Sequence, residues 1–114
     1  MHILLLDDEQ ELLKITSKLL SLDGHTVVCA DTADSAINEL KQAVFDLFIS
    51  DIFMPGDMMS IDAIEFAQHN SPATKVLVVT GYQGITKVSL QHIPKLKKPF
   101  SFNALRTTIA ELFS

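Results

Sequence analysis

Three short apolar runs in this chain and one short strand-like segment each stop at a chemically capable side chain, and the stretches between them carry apolar residues at helical spacing. Ile3 to Leu6 ends at Asp7 and Asp8, Leu47 to Ser50 at Asp51, Val76 to Val79 at Thr80, and a short run around Lys95 to Lys97 at Lys98. Thr26 to Ala30 adds a further β-branched run. Runs without polar alternation suit strands covered on both faces, and such strands belong to parallel sheets whose crossover helices do the covering. The expected fold is therefore α/β: a single-domain, doubly wound, five-stranded parallel sheet, flavodoxin-like, of five strand and helix units. Loops leaving the carboxyl edge of such a sheet converge, so all four polar stops are expected at one place.

The intervening segments supply the helices. Leu12, Ile15, Leu19 and Leu20 share one helical face, and Gly24 offers a stop. Thr32 can cap a second helix with Ala36, Ile37, Leu40 and Val44 inward. A third runs from near Ser60 to His69 with Ile61, Ile64 and Ala67 on one face, before Ser71 and Pro72 end it. Gly81, Gly84, Ile85, Thr86 and Val88 are indifferent helix formers, so the fourth helix should be short or irregular. Ser101 caps a last helix turning Phe102, Leu105, Ile109, Leu112 and Phe113 inward.

Composition removes several functional classes. A chain of 114 residues, 47% hydrophobic and 20% charged, has enough core for one domain. Its formal charge of -5 disfavours binding to a phosphate backbone, and the one concentrated positive stretch is Lys95, Lys97 and Lys98. The single cysteine, Cys29, forms no disulfide framework and reads as a small core residue. No apolar run approaches membrane-spanning length and no leader-like segment opens the chain, so a cytoplasmic protein is expected. His2, His25, His69 and His92 show no metal-ligand spacing.

The strings Leu-Leu-Asp7-Asp8-Glu9, Asp51-Ile-Phe-Met54-Pro55, Thr80-Gly81 and Lys98-Pro99-Phe100, in this order and each at a strand end, resemble the receiver domain of two-component response regulators over the whole chain. The resemblance implies one stand-alone receiver domain over residues 1–114. It further implies a signalling switch rather than an enzyme of metabolism, promoting its own phosphorylation and dephosphorylation. Asp51 would be the phosphoacceptor and Mg²⁺ the cofactor, held by Asp8, Asp51 and the backbone carbonyl of Phe53, with Asp7 acting through a bound water. Lys98 and Thr80 would each meet a phosphoryl oxygen, Gly81 would leave room for the group, and Lys98-Pro99 would be cis. The implied donor is a sensor histidine kinase or phosphotransfer protein, and the output is an unspecified downstream protein or a weak homodimer, with neither nucleic acid nor membrane bound directly.

Alternatives stand beside these roles. Asp8 with Glu11 fits a capping box for the first helix. A pseudo-receiver would keep the fold as a binding module without cycling. An aspartyl phosphohydrolase needs a second acid two residues after its nucleophile to protonate the leaving group, and Phe53 stands there. Two departures from the family pattern bear on signalling. Lys95 occupies the place where receivers carry a switching aromatic, and the stretch from Thr80 to Lys98 is short, so reordering of residues 81–94 would be the readout. Phe53 and Tyr82 flank the path of attacking water in the resemblance, which implies slow loss of the phosphoryl group.

Overall fold

The computed structural model describes residues 1–52, 58–81 and 92–114. Strand β1 (His2–Leu6) leads into helix α1 (Gln10–Leu22), followed by β2 (Thr26–Ala30), α2 (Ala33–Gln42), β3 (Leu47–Ile52), α3 (Met58–Asn70), β4 (Lys75–Thr80), β5 (Lys95–Lys97) and α4 (Phe102–Leu112). The five strands form one sheet in the order β2-β1-β3-β4-β5, every neighbouring pair parallel. This is the doubly wound, flavodoxin-like arrangement expected, with four helices among the described residues. The expected irregular fourth helix falls on residues 82–91, outside the described residues, so α4 here is the last helix of the chain.

Alternation along the central strands splits the core into two layers. Leu4, Leu6, Phe48, Ile52, Val76 and Val78 face α2 and α3, where Ala36, Leu40, Ile61 and Ile64 meet them. Ile3, Leu5, Leu47, Ile49, Leu77 and Val79 face the other way onto Leu13 and Leu20 of α1 and Leu105 and Ile109 of α4. All six residues of β3 are buried, because a central strand with helices on both faces has no solvent side.

Local chemistry sets the helix ends. The Thr32 hydroxyl accepts from the Ser35 N–H at 3.1 Å, and the Ser101 hydroxyl from the Ala104 N–H at 3.1 Å, each satisfying an otherwise unpaired donor. Gly24 follows α1 with φ of +93°, a left-handed conformation that glycine adopts without steric cost. At the start of α1 the capping box is not formed: Glu9 is the cap residue and makes no side-chain cap bond.

Four packing expectations need correction. Ile15 is 56% exposed: Leu20 of the expected face is buried and Leu12 and Leu19 are half-buried, but α1 turns Leu13 rather than Ile15 onto the sheet beside Leu20. Val44 lies beyond the end of α2 and is 79% exposed. Phe113 caps the end of α4 with its ring beneath the Lys75 ammonium instead of entering the core. Cys29 is exposed, since β2 is the outer strand and helix cover runs out along it. No helix among the described residues is long and apolar enough to cross a membrane.

Candidate functional site

Parallel pairing carries the polar strand ends to a common edge. β1 ends at Leu6, so Asp7 emerges there, and its N–H still donates to the Ala30 carbonyl at 3.1 Å as a continuation of the ladder. Asp51 is the next-to-last residue of β3, in register with Val79, and Ile52 pairs with Thr80. Thr80 pairs with Lys97, and the Lys98 N–H donates to the Thr80 carbonyl at 2.8 Å, fixing where the lysine leaves the sheet. The Lys98-Pro99 peptide is cis, as expected.

The three acidic residues meet. Asp7, Asp8 and Asp51 each place a carboxylate oxygen within 4.8 Å of the others, with Asp7 and Asp51 buried and Asp8 exposed. Lys98 faces this cluster: its Nζ donates to Asp51 Oδ2 at 3.0 Å and lies 3.5 Å from Asp7 Oδ2. Thr80 is buried beside them in β4, and Gly81 follows at the exposed edge, where an added Cβ would lie 3.9 Å from Lys98 Cβ, an ordinary contact. Phe53 and Tyr82 lie outside the described residues, so the carbonyl ligand and the two flanking groups do too.

Electrostatics follow from the crowding. Burial pushes the Asp51 carboxyl up from its ordinary 3.8 to about 6; the Lys98 hydrogen bond and charge oppose this, while the Asp7 and Asp8 charges reinforce it. For Lys98, burial alone would favour the neutral amine, but the Asp51 hydrogen bond and the charges of Asp51, Asp7 and Glu9 prevail and hold its pKa above the usual lysine range. One lysine does not neutralise three carboxylates. A hard divalent cation that prefers oxygen ligands would, so the donor set fits Mg²⁺ or Ca²⁺ in its chemistry.

Sequence reading missed the supporting contacts. Asp7 Oδ1 accepts the Glu9 N–H at 2.9 Å, holding the loop that presents Asp8. The Gln10 amide donates to Asp31 Oδ2 at 2.7 Å and ties α1 to the end of β2. The first is an Asx turn between residues two apart, a local signal that an aspartate before a helix offers; the second has none, because sheet neighbours bring its partners together. Lys95, in the place of the switching aromatic, donates from Nζ to the Ile93 carbonyl at 2.8 Å.

Comparisons with known proteins agree with this geometry. A family model described as the response regulator receiver domain matches residues 3–110. The response regulator protein FleR of Pseudomonas aeruginosa is 31% identical over 112 residues, covering 95% of this chain but 24% of FleR, so the chain spans about a quarter of that relative. The response regulator receiver protein CpdR of Brucella abortus is 28% identical, with 97% of this chain and 95% of CpdR covered. Among solved structures, a CheY-like response regulator receiver domain protein from Methanospirillum hungatei JF-1 superposes with a TM-score of 0.87 at 28% identity, covering 97% of this chain and 91% of that one.

Proposed function

The chain belongs to the response regulator receiver domain family, and from that premise we propose that Asp51 accepts a phosphoryl group from a histidine kinase or phosphotransfer protein and that the modification changes which partner the domain binds. The observation that carries this reading is the Lys98 ammonium 3.0 Å from Asp51 Oδ2 within a cluster of three carboxylates. Attack by an Asp51 oxygen on the donor phosphorus forms an O–P bond as the bond to the donor's imidazole nitrogen breaks, and the nitrogen leaves with the electron pair. Catalysis of such a transfer is mainly positioning and charge neutralisation, which matches the residues at this edge.

Lys98 holds the acceptor carboxylate in place and, after transfer, pairs with a phosphoryl oxygen as a charge-assisted donor. Thr80 donates its hydroxyl to another oxygen. Asp7, Asp8 and Asp51, with the Phe53 carbonyl, are the groups that would hold Mg²⁺, which when bound supplies positive charge to the phosphoryl oxygens. A cation held there would offset the Asp7 and Asp8 charges, which add to burial in raising the Asp51 pKa. Residues 1–114 are read as one receiver domain, as in the match that covers 97% of this chain and 95% of CpdR.

Intact mass after incubation with acetyl phosphate and Mg²⁺ tests the proposal. One phosphoryl adduct is expected for the native chain, and none for Asp51→Ala or for native chain with EDTA. An adduct that survives in Asp51→Ala would refute the assignment of the acceptor, and a native chain that gives no adduct with either acetyl phosphate or a phosphorylated histidine donor would make the domain a pseudo-receiver.

A further inference from the structure

The sheet has a second edge, opposite the acidic site, and the amino-terminal end of β4 is bordered there by two open grooves. One, of about 390 Å³, has Val76, Ile93 and Leu112 among its lining residues, with Gln68 and His92 beside them. The other, of about 370 Å³, is lined by Leu40, Ala43 and Val44 among others. Pro72 and Thr74 border both, so the two grooves are neighbours. Each is of a size that accommodates a ligand side chain or small molecule. The 79% exposure of Val44 and 38% exposure of Phe113 add apolar surface at this edge.

The charge of this surface is opposite to that of the chain. Lys75 lines the first groove and Lys41 the second, in a protein of formal charge -5. Neither ammonium lies within ion-pair distance of a carboxylate among the described residues. Instead Lys75 Nζ is 5.6 Å from the centroid of Phe113 and Lys41 Nζ 5.8 Å from that of Phe66. Ring-stacked lysines keep their stems on apolar surface and present their charge to whatever arrives. Asp46, at the start of β3, lines neither groove, and its carboxylate is occupied by the His2 N–H at 2.8 Å.

We propose that this edge docks an extended acidic segment of a partner protein, with apolar side chains seated in the two grooves and carboxylates on Lys41 and Lys75. Two apolar grooves, each with a lysine in its lining, suit a peptide that carries both apolar and acidic side chains. A second copy of this chain suits the surface less well. Its own exposed acidic run, Asp8, Glu9 and Glu11, lies at the opposite edge, so such pairing would be head to tail rather than the two-fold pairing of a simple dimer. The proposal is independent of Asp51 chemistry, and the two fail separately because one is read by mass and the other by binding.

The test is a titration of the ¹⁵N-labelled full chain, followed by amide shifts, with an acetylated, amidated peptide alternating glutamate and leucine. The same peptide with lysine for glutamate is the control. Saturable shifts are expected at Val44, Gln68, Lys75, Val76 and His92 with the acidic peptide alone. The double variant Lys41→Glu with Lys75→Glu should weaken binding about tenfold, with Lys41→Gln and Lys75→Gln as the milder pair should charge reversal disturb the native spectrum. No saturable shift at these amides, an equal response to both peptides, or unaltered affinity in the folded double variant overturns the proposal. Concentration-dependent shifts of the same amides without peptide would overturn it in favour of self-association.

Discussion

Asp51→Asn replaces a carboxyl that the fold perturbs with a neutral group of the same shape, and the consequence for stability depends on pH in a calculable way. Burial first, then the Asp7 and Asp8 charges, outweigh the Lys98 hydrogen bond and push the folded-state pKa from 3.8 to about 6. An acid whose pKa is raised by folding binds its proton more tightly when folded. Its contribution to stability is therefore fully present below the unfolded value and is lost as pH rises through the folded value. A shift of about two units corresponds to roughly 3 kcal/mol in full, of which about 1.4 kcal/mol falls away between about pH 5 and pH 8. Screening at the rim of the sheet, beside exposed Asp8, reduces this to about 1 kcal/mol. Urea unfolding in EDTA should show the native chain losing about that much stability relative to Asp51→Asn across this window, with unaltered denaturant slopes. Saturating Mg²⁺ at the upper pH should restore most of it in the native chain and little in the variant. Parallel pH profiles for the two proteins without metal would refute the reasoning, because every other titrating group is common to both.

Lys98→Met should abolish or strongly reduce the phosphoryl adduct and raise the Asp51 pKa further, since it removes the one cation facing the cluster among the described residues; ¹³C chemical shifts of the Asp51 carboxyl against pH would measure the shift. Thr80→Ala should still form the adduct in the mass assay while losing the amide-shift changes that phosphorylation produces in the native chain. Thr32→Ala removes the hydroxyl that accepts the Ser35 N–H and should cost about 1 kcal/mol in urea unfolding without altering metal binding. Leu77→Ala, at a fully buried position in the sheet layer facing α1 and α4, should cost about 2–5 kcal/mol by losing buried surface and leaving a cavity.

The strand and helix order, the parallel sheet and the convergence of Asp7, Asp8, Asp51, Thr80 and Lys98 were legible in the amino-acid order, because each rests on local pattern. An unbroken apolar run marks a strand covered on both faces, a hydroxyl before a helical stretch marks its cap, and a shared carboxyl edge follows from the topology alone. Facing was less legible. Ile15 and Leu13 are both apolar on the same helix, and only the way α1 rests on the sheet buries Leu13 and leaves Ile15 in water. Cys29 sits in an apolar strand, yet its exposure depends on β2 being at the edge of the sheet, which no local pattern states. Crowding of carboxylates could be anticipated from the sequence, but the rise of the Asp51 pKa comes first from its burial at the end of β3, which only the tertiary structure supplies. The basal grooves have no sequence signature at all. Their walls come from the start of β4, the ends of α2, α3 and α4 and the loops beside them, far apart in the chain, and their ring-stacked lysines exist only because tertiary packing places Phe66 and Phe113 beneath them.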